Sequence, residues 1–191
     1  THLHYGCKML FGTSEQRGGY FFPLTSRTGN TFSKMKKYLS HGMGINSTAL
    51  MLLLEDEGIK FESVFVDHGG DYPETYEYVN YLKNKGYEIT VLIPDYCGCH
   101  TIEEYARKYN LFPGFKFRWC TINFKVKVLY KYYLKPCVDF VGIDAGETHR
   151  CKDYKKPQGI NVEYPLIEKG INRQHCIKII KEHFFINIPP I

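Results

Sequence analysis

The chain predicts an α/β domain, doubly wound, with a mainly parallel five-stranded sheet and helices on both faces. Three observations carry that expectation. Short apolar runs near residues 38, 62, 88, 138 and 162 read as strands. Helical stretches separate most of them, and strands joined through helices pair in parallel and are covered on both faces. A glycine-containing turn, Ser40-His41-Gly42-Met43-Gly44-Ile45-Asn46-Ser47-Thr48, leads from the first strand straight into a helix. Right-handed crossovers then place ligands at the carboxyl ends of the strands.

Residues 1–34 are rich in Gly, Ser, Thr and Arg and hold no sustained period, so they read as an added or accessory leader. Met35-Lys36-Lys37 marks the start of the domain, 35–191. The strand at 37–40 precedes a helix over 47–57 that stops at Gly58. Phe61 to Val66 forms the next strand; Asp71 and Pro73 open a helix through Asn84, ended by Gly86. A strand follows at 87–93, and Thr101-Ile102-Glu103-Glu104 has the form of a capping box for a helix to Tyr109. A Phe- and Gly-rich loop over 110–120 leads to a helix over 122–134. Strands at Val138 to Gly142 and Val162 to Leu166 complete the sheet, and Asn172 can cap a final helix reaching Glu182.

At 191 residues the chain suits one domain with a substantial core, and 16 Tyr and 13 Phe argue for a packed protein. Of the net charge of +5, the leader's Lys8, Arg17, Arg27 and Lys34 against Glu15 account for most, leaving about +2 elsewhere. That is weak support for a nucleic-acid partner such as tRNA. No apolar run approaches the roughly 18–20 residues of a membrane span. Seven cysteines, an odd number without a secretory signal, fit a reducing cytoplasm and not a disulfide framework.

In the turn at 40–48 the glycines let the backbone approach a ligand with no Cβ in the way. Asn46 and Ser47 are good N-cap residues, and the first helical N–H groups have no partner within the helix. With the helix dipole they make an anion site suited to phosphate. The common ATPase P-loop and the G-x-G-x-x-G dinucleotide fingerprint are both absent.

S-x-G-x-G-x-N-S-T resembles the pyrophosphate-binding PP-loop (S-G-G-x-D-S) of ATP pyrophosphatases and sulfonucleotide reductases. The following V-D-x-G-x-x-x-P-E-T-Y, residues 66–76, is similar to the phosphoadenylyl-sulfate (PAPS) reductase family. Arg118 to Val126 looks like that family's R-x-C-x-x-x-x-K-V segment, and Gly142 to Arg150 like its G-x-R-x-x-E-S-x-R turn. The four blocks span residues 36 to about 182. The resemblance implies an adenine nucleotide alpha hydrolase-like fold, with the loop Ser40, His41, Gly42, Gly44, Asn46, Ser47 and Thr48 on phosphate. Val66, Asp67 and Gly69 would then meet the adenosine. Arg118 and Lys125 can present cations to a sulfate or phosphate tail, as can Arg150, oriented by Glu147. Asp144 departs from the family, standing where it often has arginine.

The family's reductases attack with a cysteine in a C-terminal E-C-G-x-H segment, whereas this chain reaches Pro189-Pro190-Ile191 without one, so a truncated product is expected. Cys120 falls where iron–sulfur members carry a Cys-Cys pair. Cys97, Cys99, His100 and Cys120 can converge on zinc or an iron–sulfur cluster, although C-x-C-H lacks the paired C-x₂-C spacing. Cys137 and Cys176 sit in apolar surroundings that suit the core, and Cys151 beside Arg150 is a candidate reactive thiol.

The expected ligand is ATP or a sulfonucleotide, PAPS or its unphosphorylated analogue APS. Two chemistries stay open. In one, ATP with Mg²⁺ is cleaved between its α and β phosphates to adenylate a substrate, tRNA sulfur transfer being one example. In the other, a cysteine attacks the sulfonucleotide sulfur and a thioredoxin-like partner resolves the product. A non-catalytic nucleotide sensor is the rival from another class, and homo-oligomers are compatible with any of these.

Overall fold

The computed structural model describes residues 35–112, 114, 118–151 and 157–184. The proposed leader and the Pro-Pro end lie outside them. Five strands, β1 (Lys36–Ser40), β2 (Glu62–Val66), β3 (Ile89–Leu92), β4 (Cys137–Val141) and β5 (Ile160–Glu163), form one sheet in the order β3-β2-β1-β4-β5. Every pairing is parallel, with Ser40 opposite both Val64 and Val141. The chain winds outward from β1 in one direction and then from β4 in the other. The Rossmann-like switch point therefore lies between β1 and β4, where the crevice for a ligand opens.

Alternate residues of each strand divide two cores. Leu39, Phe65, Val138 and Phe140 pack under α1 (Ile45–Asp56), α2 (Pro73–Asn84) and α7 (Arg173–Phe184). Helix α1 lies between the sheet and α7, which is why Asn46 to Leu52 are buried around most of its circumference. On the other face Tyr38, Val64, Val66, Ile160 and Val162 meet Leu129 and Tyr133. Leu129 belongs to a helical run made of α4 (Trp119–Thr121), a π-helical stretch Ile122–Val126 and α5 (Lys127–Tyr132), and Tyr133 directly follows it. Tyr38 and Tyr133 stack with ring centroids 4.1 Å apart.

Several boundaries differ from the sequence expectation. The helix expected at 122–134 begins at Trp119, after Arg118 takes a left-handed conformation at φ 42°. The last strand ends at Glu163 because Pro165 starts a short helix, α6 (Pro165–Glu168). Helix α1 is capped by Gly44, not by Asn46 or Ser47, and no side chain caps it. The box at Thr101–Glu104 does cap α3 (Ile102–Tyr109), and Asn172 accepts from the His175 N–H at 3.1 Å at the start of α7. No helix among the described residues is long and apolar enough to cross a membrane.

Gly142 sets the distance between β4 and α1. A Cβ built there would lie 2.7 Å from the backbone N and Cα of Ser47, where only backbone could yield. Gly142→Ala is expected to push the start of α1 off the sheet. The cost is roughly 1–3 kcal/mol, measurable as a lower midpoint in denaturant with an unchanged slope.

Candidate functional site

A cavity of about 420 Å³ opens at the carboxyl ends of β1, β2, β4 and β5, beneath the helical run 119–132. Its buried lining includes the apolar Val64, Val66, Leu129 and Val162. Its outer lining carries the cations Arg118, Lys125, Arg150 and Arg173. The loop from Ser40 through Ser47 forms one wall between these zones.

In that loop the backbone donors are free. Thr48 N–H bonds Gly44 O at 3.0 Å and His41 N–H bonds Val64 O at 2.9 Å. Between them, the N–H groups of Gly42, Met43, Gly44, Ile45, Asn46 and Ser47 have no hydrogen-bond acceptor among the described residues. Unpaired donors at a helix start are met by water or by a ligand, and the helix dipole makes an anion the favoured ligand. Space for it exists, because a Cβ at Gly42 or Gly44 would touch nothing within 4 Å. The left-handed conformation of the turn falls on Met43, at φ 57°, and not on either glycine. Gly44 has φ −89° and ψ 169°, which any residue adopts. Neither backbone nor neighbours require glycine at 44.

The side chains of the loop have tasks that the sequence did not separate. The His41 imidazole is buried, its nitrogens 2.9 Å from Ser63 Oγ and 3.3 Å from Thr48 Oγ1. Burial lowers its pKa to about 3, so it brings no positive charge to a phosphate. Thr48 is wholly buried against that ring and does not line the cavity. Ser47 turns its hydroxyl to Gly44 O at 3.0 Å. Asn46 donates through Nδ2 to Asp144 Oδ2 at 2.7 Å, leaving its buried Oδ1 without a partner beside the cavity. Asp144 also accepts from Gly146 N–H at 2.7 Å. Asp144 therefore ties the turn after β4 to the start of α1.

Beyond β2 the expected adenosine contacts divide. Val66 lines the cavity, whereas Asp67 accepts from the Tyr76 hydroxyl at 2.9 Å and Gly69 N–H at 3.0 Å and stands outside the lining. Gly69 has φ 68°, and a Cβ there would meet Thr101 Cγ2 at 2.7 Å. These two residues shape the turn. Lys125 sits 3.6 Å from Asp71 and Arg150 2.7 Å from Glu147, so each cation reaches the cavity with its charge partly balanced.

The cysteine set does not form a metal centre. Among the described residues no three His, Cys, Asp or Glu side chains gather as ligands, and His100 directs Nδ1 to Pro94 O at 2.9 Å. Cys97 is exposed and Cys99 buried on either side of the left-handed Gly98. Cys120 lies outside the cavity lining. Cys137 and Cys176 are core residues as expected, and burial raises the thiol pKa of both.

Sequence reasoning passed over the innermost polar group. Asp139 lines the cavity yet is 2% exposed. Its Oδ1 accepts from Ser40 Oγ at 2.8 Å and Tyr133 Oη at 3.1 Å, and those hydroxyls are 2.9 Å apart. Ser40, expected on phosphate, thus spends its proton on a carboxyl. The available signal was an acid alternating inward with apolar residues along Cys137–Val141. Arg173 gave no local signal and reaches the site only because α7 packs on α1.

With this geometry in view, the known protein-family models and curated proteins contain no match to the chain.

Burial raises the Asp139 pKa to about 6 from 3.8, against the smaller opposite effects of Ser40 and Tyr133. The native state then holds a proton that the unfolded chain has lost between those values. This contribution to stability is full below pH 3.8 and declines as pH rises to about 6. His41, with its lowered pKa, tilts the wild-type profile the other way, so a difference measurement isolates the carboxyl. Asp139→Asn is expected to gain about 2 kcal/mol relative to wild type between pH 4 and pH 7, read by denaturant unfolding across pH.

Proposed function

We propose that the cavity binds an adenine nucleotide, with the phosphate or sulfate end on the loop at 42–47 and chemistry performed at that end. One observation carries the reading. Six consecutive backbone N–H groups, Gly42 to Ser47, leading into α1, have no acceptor among the described residues, and open space lies over Gly42 and Gly44. The resemblance of the four blocks to the PAPS reductase family supports adenine as the base and an enzyme as the setting.

The chemistry follows from charge. Cleavage of ATP between the α and β phosphates develops negative charge on the departing pyrophosphate. Fixed N–H dipoles stabilise it without reorganising. Arg118, Arg150 and Lys125 supply the compensating positive charge from the outer lining. With ATP as the ligand, Mg²⁺ brought in on the phosphates would supply further neutralising charge. For a sulfonucleotide the same groups would hold the sulfate, and a thiol would have to be brought in. Among the described cysteines, Cys97, Cys120 and Cys151 are not buried, and none lines the cavity. This favours phosphate-end activation by the described residues. Reduction with a thioredoxin-like donor is the second reading, carried by the family likeness.

Calorimetric titration with ATP, AMP, PAPS and APS tests the proposal. Gly44→Val is a clean variant, since its side chain meets only open space and its backbone suits valine. The expected result is an unchanged melting temperature and at least tenfold weaker binding of the preferred nucleotide. Equal affinity in both proteins rejects the loop as the phosphate seat. Pyrophosphate release from ATP separates the adenylating enzyme from a sensor.

A further inference from the structure

The cavity has two chemically different ends, and the loop accounts for only one. Inward from Ser40 the lining is Val64, Val66, Leu129 and Val162, all buried and apolar. Within that zone stands one carboxyl, Asp139, braced by Ser40 and Tyr133 through contacts of 2.8 and 3.1 Å. An acid in such surroundings needs hydrogen-bond donors, and an anion placed against it would be repelled in a low dielectric. A phosphate is therefore excluded from this end by the same physics that draws it to the free amides and cations at the other. The ligand must enter with its uncharged part inward, and a hydrogen-bond donor on that part would meet Asp139.

We infer that Asp139, held by Ser40 and Tyr133, is a specificity residue that reads an N–H or O–H donor on the uncharged end of the ligand. The inference rests on the nucleotide reading and deepens it. On an adenine nucleotide that donor is either the 6-amino group or a ribose hydroxyl. A ligand offering a bare acceptor there faces the carboxyl oxygens and loses affinity, because an unpaired polar group in an apolar compartment costs more than a made bond returns. Stability gives the site no reason to keep an acid. Ser40 Oγ and Tyr133 Oη lie 2.9 Å apart and can pair with each other when the carboxyl is gone.

The test compares ATP with three nucleotides that each lack one donor: purine riboside 5′-triphosphate, 2′-deoxy-ATP and 3′-deoxy-ATP. Each is titrated calorimetrically into wild type and Asp139→Leu. Wild type is expected to bind one of the three at least tenfold more weakly than ATP, and that analogue identifies the donor. Asp139→Leu is expected to bind ATP and that analogue alike. Equal binding of all four nucleotides by wild type overturns the assignment without any variant, and so does discrimination that survives in Asp139→Leu. If the leucine variant does not fold, Asp139→Asn replaces it, because its amide oxygen can still accept but carries no charge. Discrimination must then shrink, and full retention overturns the proposal. Failure of wild type to bind ATP or any analogue overturns the nucleotide reading and this inference together. Binding without discrimination overturns the inference alone.

Discussion

The arrangement depends on a helix whose first turn, where it borders the cavity, has no acceptors for its N–H groups among the described residues. Helix α1 is held between the sheet and α7, and Gly142 lets β4 approach Ser47 closely. The Asn46–Asp144 bond of 2.7 Å fastens the same point from the side. Three independent contacts therefore fix the start of α1 against the sheet. Such fixing is what separates a binding seat from an ordinary frayed helix end. The helix dipole adds roughly half a positive charge at the same place.

Around that seat, polarity is sorted along the cavity. Exposed cations stand outside, the amide wall lies between, and a buried carboxyl waits inside among valines and leucine. Opposite charges at opposite ends give a ligand one orientation. The sorting also has an energetic cost, since burial holds Asp139 neutral up to about pH 6 and its charged form carries a desolvation penalty. Strain at Met43 adds to it, because a non-glycine residue at positive φ sits at about 1–3 kcal/mol above its relaxed state. Costs of this kind gather at functional sites, where the surrounding core is large enough to carry them.

Much of this was legible in the chain itself, for identifiable reasons. Alternating apolar runs and helical stretches, with Gly58, Gly86, Thr101 and Asn172 as stops and caps, specify a parallel sheet without any long-range information. The glycine turn after β1 is likewise local. What escaped was every feature created by two distant segments meeting. Asn46 looked like a cap because Asp144 is 98 residues away. Ser40 looked like a phosphate ligand because its partners Tyr133 and Asp139 come from beyond the fourth helix. Asp67 reads from sequence as an adenosine contact, and its bond from Tyr76, one turn into α2, could not be seen there. The cysteine set differs in the opposite way: Cys97 and Cys99 are neighbours in sequence, yet one is exposed and the other buried, and no ligand group gathers around them among the described residues.

Backbone amide NMR with a titration of ATP, and of inorganic pyrophosphate as the bare charged fragment, reads the central claim at the atoms concerned. The account predicts that the N–H resonances of Gly42 to Ser47 move furthest and gain protection from hydrogen exchange on adding either. Saturable shifts located elsewhere, with those six amides unmoved, would contradict it.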